Sequence, residues 1–348
     1  MNKLILIGNG FDLAHGLETS YGNFITWYLT NLCEHSLYED KLIRIENPFN
    51  KKYAEFGSIQ AFIQNHSVVH IKLTFKSDFF RDILDELSKA RWVDIEYKYF
   101  QKLLLHYRGM TITNPTSDNN YVNKVKELNN SLGTIKEKLI KYLSGIDTVK
   151  YNDEIEKIFT KYLRIRGESS SAVAYFLDFN YTDTLQNYMH LFENENYEKF
   201  KVAAQVNYIH GNLKDKNNPV IFGYGDEMDP AYSKIEQLNQ NAFLDNIKSF
   251  GYFRTNNYQS LTQFLNSPFE VFILGHSCGI SDRILLNSIF DRDDNNCRSI
   301  RILHYIKSGK DDYFVKTQEI SRHFKAENKH KMRNLIIPFD ENDCMSKV

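Results

Sequence analysis

The sequence has 348 residues, with 43 Lys and Arg against 44 Asp and Glu, a formal net charge of −1 and 14% aromatic residues. That balance provides no global basic field for nucleic acid, and the length suits one large domain or two ordinary ones. Cys33, Cys278, Cys297 and Cys344 are far apart and form no Cys-x-x-Cys pair, so neither a structural zinc site nor a disulfide framework is expected. The apolar start is too short for a signal peptide, and no apolar stretch approaches the ~18 residues of a membrane span. A soluble, cytoplasmic chain is the expectation.

In chain order, Lys3 to Ile7 is an apolar, β-branched run that enters a Gly8-Asn9-Gly10 turn, the pattern of a buried parallel strand. The glycines let the backbone turn tightly and approach a ligand, and a helix after them would offer its N–H groups to a phosphate. Thr19 or Ser20 caps a helix carrying Phe24, Ile25, Trp27, Tyr28 and Leu29. Residues 36 to 52 read as a surface connection and 53 to 107 as mainly helical. Within that block Ser77 caps a run whose Phe79, Phe80, Ile83, Leu84 and Leu87 share a face, and Trp92 to Tyr97 leads into Phe100, Leu103 and Leu104. Residues 109 to 120 have loop chemistry. Val122, Val125, Leu128, Leu132, Ile135, Leu139 and Leu143 then mark one long amphipathic helix.

The pattern changes at residue 172. Ala172–Leu177, Val206–Ile209, Val220–Phe222, Val271–Leu274 and Ile300–Tyr305 read as strands, with a largely helical stretch over 231–266. Strands separated by helices predict a parallel α/β sheet, whose first strand stands some 160 residues before its companions. The last ten residues read as a polar, loose tail.

In an open parallel sheet, ligands bind at the carboxyl ends of the strands. Polar clusters follow the predicted strands at Gly8–Asp12, Asn180–Asp183, His210-Gly211 and Gly275–Ser277. Alone, a histidine after a strand is more often structural and an asparagine more often a turn former; together they suggest one site. The Gly8-x-Gly10 turn lacks the third glycine of the dinucleotide fingerprint, Leu13 standing there, which argues against a hydride-transferring enzyme. Gly275-His276-Ser277-Cys278-Gly279 matches the nucleophile elbow of a serine hydrolase, with Asp291 or Asp311 and His323 as partners for Ser277. That reading leaves the first strand, Asn180 and His210 unexplained. Asp94 and Glu96 read as a solvated helix face, or as a carboxylate lent to the pocket.

The order Leu-Ile-Gly-Asn-Gly-Phe-Asp (6–12), Phe-Asn-Tyr-Thr-Asp-Thr-Leu (179–185), Ile-His-Gly (209–211) and Leu-Gly-His-Ser-x-Gly-x-Ser-Asp (274–282) resembles the AbiH abortive-infection family of bacterial phage-defence proteins. Residues 16–21, 92–96 and 222–227 also fit that family, so the resemblance spans most of residues 3 to 286. More distantly the order is similar to sirtuins and sirtuin-like NAD hydrolases. That resemblance implies that Gly8 and Gly10 hold phosphates, that Asn180 works at the nicotinamide ribose and that His210 is the catalytic base. It puts Gly275, His276 and Ser277 near the adenosine half, and Asn9, Phe11, Asp12, Asp183 and Asp282 among the NAD-binding positions. The sirtuin zinc module is missing after His210-Gly211, so no metal is implied and protein deacylation is disfavoured. The Asn180–Asp183 segment is one residue longer than the sirtuin Asn-x-Asp.

The expected fold is thus α/β: a Rossmann-like, sirtuin-like, mainly parallel sheet with a large helical insertion after the first strand. Residues 1–22 and 170–338 would form the core, 23–169 the insertion and 339–348 the tail. The expected activity is hydrolysis of NAD, as substrate, by an anti-phage effector. A nucleotide-binding sensor or scaffold without turnover is the alternative outside catalysis. An idle enzyme of this kind needs restraint, so self-assembly into a homo-oligomer or a defence-system partner protein is expected, without membrane and with no sign of nucleic acid.

Overall fold

Strand β1, Asn2–Ile7, stands in the middle of the sheet. Leu4 and Leu6 enter one core and Ile5 and Ile7 the other, which is why this run shows no polar alternation. The computed structural model describes residues 1–90, 94–113, 119–164, 172–193, 202–307 and 309–347. Trp92 and Val93, and the boundary expected at 169/170, lie outside the described residues.

Among the described residues, β1 pairs in parallel with β5 (Val173–Asp178) on one side and β7 (Phe269–Leu274) on the other. Strand β6 (Ala203–Tyr208) continues past β5, while β8 (Cys297–Lys307) and β10 (Cys344–Lys347) continue past β7, all parallel. The short β9 (Lys310–Asp311) runs antiparallel to β8 and completes a seven-stranded sheet of order β10-β8-β7-β1-β5-β6. The protein is therefore a mixed α/β chain with a mostly parallel sheet. The chain moves outward from β1 through β5 and β6, then resumes on the other edge of β1. The reversal falls between β1 and β7, where parallel sheets open a crevice at their carboxyl ends.

Helices cover both faces. The helix Asp153–Tyr162, in the stretch expected as helical insertion, packs Ile155, Ile158 and Phe159 on the Ile5 side with Leu185 and Tyr188. The helices Asn257–Leu265 and Arg283–Phe290 pack on the Leu4 side.

The chain divides into two compact units. The sheet belongs to the one formed by Met1–Glu18, Ile146–Ile221 and Ser249–Val348; the other is formed by Thr19–Gly145 and Phe222–Lys248. In this second unit Ser20 caps the helix Tyr21–Cys33 by accepting the Asn23 N–H at 3.1 Å, and Ser77 caps Asp78–Ala90 by accepting the Phe80 N–H at 3.2 Å. The long helix Asn119–Leu143 buries Val125, Leu128, Leu132, Ile135 and Leu139, as its spacing predicts.

Four expectations need correction. Residues 36–52 are not only a connection: β2 (Leu37–Glu39) and β3 (Ile43–Glu46) join β4 (Lys72–Phe75), from the block read as helical, in an antiparallel sheet. Gly109–Thr113 is not loop but the end of the helix Ile95–Thr113. Gly109 is there for packing, since a Cβ on it would meet the Tyr121 ring at 2.4 Å. Val220–Phe222 is buried but lies in no sheet; its backbone is tied back by Ile221 N–H to the His210 carbonyl at 2.8 Å. The polar end is not loose, because Met345 is buried in the core and carries β10 onto β8. Of the helix-face pair, Asp94 accepts the Tyr97 N–H at 3.0 Å, while Glu96 is buried, accepting from Gly223 N–H and Lys248 Nζ at 3.0 Å each. Among the described residues no helix is long and apolar enough to cross a membrane.

Candidate functional site

The carboxyl ends of β1, β5, β6 and β7 lie side by side because the strands are parallel and in register. Phe179 N–H bonds to the Ile7 carbonyl at 2.9 Å and Ile209 N–H to the Asp178 carbonyl at 3.0 Å, so the ladder runs on until just before Asn180 and His210. Asn180 then donates from Nδ2 to the Gly8 carbonyl at 3.1 Å, tying the β5 loop to the β1 turn. His210 is followed by Gly211 at φ +91, where a Cβ would also lie 2.4 Å from the Pro219 carbonyl oxygen; only glycine permits that turn.

Asp282 stands between two histidines. Its Oδ1 is 3.3 Å from His210 Nε2 and its Oδ2 is 3.4 Å from His276 Nε2. His276 Nδ1 accepts the Cys278 N–H at 3.0 Å, so its proton sits on Nε2, toward Asp282. Tyr252 Oη also lies 3.3 Å from His210 Nε2. The Phe179 ring meets His210 edge-on at 5.0 Å and His276 at 4.1 Å between centroids. The cluster is closed from water: Asn180 and Asp282 are 8% exposed, His210 4% and His276 3%. A carboxylate that orients an imidazole and steadies its protonated form is the arrangement a general base needs.

Beside this lies a pair of buried carboxyl groups. Asp178 accepts the Asn180 N–H at 2.9 Å, and Asp12 Oδ2 accepts the Thr182 hydroxyl at 2.7 Å. Burial pushes both upward, Asp12 to about 6; the Asp183 charge adds to the rise at Asp12, and the Asp12 charge to the rise at Asp178. Among the described residues nothing donates to Asp12 Oδ1.

The turn itself differs from expectation. Gly8 N–H donates to the Leu274 carbonyl, Gly10 N–H to the Gly275 carbonyl at 2.9 Å and Phe11 N–H to the Gly8 carbonyl at 2.8 Å. A Cβ on Gly10 would meet Gly275 O at 2.7 Å. The glycines are needed so that two loops can touch, and these N–H groups face protein, not open space. Phe11 is core, packed on His15 and Tyr188. Asn9 is exposed. Burial pulls Asp183 upward, but the Lys214 ammonium and the Thr148 hydroxyl outweigh it and hold the group below the usual carboxylate range.

The serine triad is not assembled. Ser277 is exposed and its Oγ accepts the Gly279 N–H at 3.3 Å, while the helix begins only at Arg283 and not at the serine. His323 Nε2 bonds to the Cys278 carbonyl at 2.8 Å, and burial pushes its ring down to about 4. Asp291 is occupied by Lys325 N–H and Asn328, and Asp311 by Tyr313 N–H.

Sequence reading took Thr182 only as part of the Asn180–Asp183 cluster and did not single out Asp178 or Tyr252. Asp178 carried a signal, a lone acid closing an apolar strand. Tyr252 carried none, 42 residues beyond His210 in a helical connection.

A family model described as bacteriophage abortive infection AbiH matches residues 4–304. The chain belongs to the AbiH family. That match takes in the turn at Gly8, the Asn180 loop, His210 and the two histidines' shared Asp282. No curated protein and no solved structure matches this AbiH chain. Membership assigns it to abortive infection against bacteriophage.

Proposed function

We propose that this AbiH protein is an abortive-infection effector that binds NAD and cleaves its nicotinamide–ribose bond in the cytoplasm of the infected cell. The observation that carries the reading is the His210–Asp282–His276 cluster beside Asn180, at the carboxyl ends of parallel strands. The strand order around β1 also fits a Rossmann-like core of the sirtuin kind.

In the hydrolysis, the bond from ribose C1′ to the nicotinamide nitrogen breaks and nicotinamide leaves neutral. A water oxygen bonds to C1′ and one proton is released. With Nε2–H of His210 directed at Asp282, Nδ1 is the nitrogen that takes this proton, and Asp282 steadies the imidazolium. Asn180 spends its Nδ2 on Gly8, which leaves Oδ1 to accept from a ribose hydroxyl or the water. A fixed polar pocket suits a transition state whose charge builds on the sugar.

A second reading, a nucleotide-binding sensor or scaffold without turnover, is favoured by one observation. The turn's N–H groups are already spent within the protein, so a pyrophosphate there must first part Gly10 from Gly275. Restraint by a homo-oligomer or a defence partner would keep the pocket in that state. NAD measured in phage-challenged cells separates the readings. Loss of NAD with wild type and its retention with His210→Ala supports cleavage; equal loss with both refutes the assigned base, and no loss with wild type supports the sensor.

A further inference from the structure

The opposite end of the same sheet holds a cavity of about 480 Å³, lined among others by Lys3, Lys161, Tyr162, Arg164, Phe272 and Arg301. It lies at the amino ends of β1, β7 and β8. Register explains the lining. Lys3 stands beside Glu270 and Glu270 beside Ser299, while Phe272 stands beside Arg301 in the next row on the same face. The end of the helix Asp153–Tyr162 supplies Lys161 and Tyr162 above them. Lys3 is separated from Gly8 by nearly the whole of β1, on the order of 13–17 Å at the rise of a strand, so this is a different place from the histidine cluster.

The charges are arranged and not merely crowded. Lys161 Nζ lies 3.3 Å and Arg301 Nη1 2.6 Å from the carboxylate of buried Asp343, which also accepts from the Tyr162 hydroxyl. One carboxylate therefore orients two cations and a phenol. Lys3 pairs with Glu270 at 2.9 Å. Lys3, Lys161, Arg164 and Arg301 outnumber the carboxylates around them, Glu270, Asp343 and Asp340, so the cavity is net positive. The Tyr162 ring lies 4.5 Å from Lys161 Nζ and 5.0 Å from the Arg301 guanidinium, and its centroid is 5.6 Å from that of Phe272. Cation and ring faces are thus presented together.

We propose that this cavity binds a phosphate monoester carrying a planar ring, a nucleoside monophosphate being the ordinary case. The net positive lining suits a phosphate monoester, which carries close to two negative charges at neutral pH. Guanidinium forks suit its oxygens. The Tyr162–Phe272 pair offers the ring an aromatic wall, and the volume lies within the ~300–1,000 Å³ of small-molecule sites. The inference does not rest on the NAD reading.

The test is calorimetry on the full chain with AMP, inorganic phosphate and adenosine. AMP should bind at one site per chain, with phosphate and adenosine each weaker by about tenfold or more. Arg164→Glu replaces an exposed side chain and should weaken AMP by about tenfold at unchanged Tm, and Lys161→Ala should weaken it by as much. Absence of AMP binding, or AMP binding that both variants leave intact, overturns the proposal. Inorganic phosphate binding as tightly as AMP overturns the ring-bearing ligand.

Discussion

Asp12→Asn should stabilise the protein at neutral pH, and the size of the gain should vanish in acid. Asp12 is buried at the end of β1, with Thr182 on one oxygen and no donor on the other among the described residues. Burial raises its carboxyl from 3.8 to about 6. Below the unfolded value the group is protonated in both states and costs nothing. As pH rises through the interval, the unfolded chain releases the proton first, so folding stability falls until the folded value is passed. At ~1.4 kcal/mol per pH unit, that interval corresponds to about 3 kcal/mol lost by wild type between pH 4 and pH 7. Asparagine keeps the shape and an acceptor for Thr182 but cannot ionise. Urea denaturation at pH 4, 5, 6 and 7 measures the difference between the two proteins. It should be near zero at pH 4 and about 2–3 kcal/mol in favour of Asp12→Asn at pH 7. Asp178, buried alongside, will titrate more easily once the neighbouring charge is gone, which adds to the same sign. A difference that stays flat across this range would refute the claim that ionised Asp12 is penalised in the fold.

Three further outcomes follow from the site. In an NAD-cleavage assay, Asn180→Ala and His210→Ala should each lose roughly 10²–10⁴-fold in rate, and the double variant little more, because groups acting as a unit are non-additive; full additivity would mean that they serve separate steps. Ser277→Ala should leave cleavage unchanged, and wild type should take up no fluorophosphonate label, since among the described residues its hydroxyl has no histidine partner. Gly10→Val should lower Tm by several degrees, because its Cβ would meet Gly275 backbone atoms at 2.7 and 2.9 Å and overpacking costs ~1–3 kcal/mol; an unchanged Tm would mean that the two loops part without cost.

Much of the sheet was legible because it is buried on both faces. Leu4 to Ile7 and Val271 to Leu274 are uninterrupted apolar runs, and nothing but a central strand gives that pattern cheaply. The helix Asp78–Ala90 was legible through its cap and its one-sided apolar face. The β2–β3–β4 sheet was not, since strands of three or four residues on a mixed surface carry too few alternations to stand out. Val220–Phe222 misled because burial alone looks like a strand; the three residues are held by the His210 turn and not by a ladder. At the candidate site, polar residues after strands pointed to Asn180, His210 and His276, and the family resemblance to Asp282. The closure of the Gly8 turn on Gly275 was invisible, because it depends on where a loop some 265 residues later comes to rest.

The placement of β1 also sets a timetable. Asn2 is tied to Val173, 171 residues later, and Lys3 to Glu270, 267 residues later. A nascent chain made at ~5–20 residues per second carries its first strand unpaired on the β7 side for roughly 13–50 s. Contacts of such sequence separation form slowly, and the exposed apolar run is a target for chaperones in the meantime. The histidine cluster needs Asp282 and so cannot exist before synthesis has passed that residue. The site proposed for cleavage is, by this topology, unformed until synthesis has passed that point.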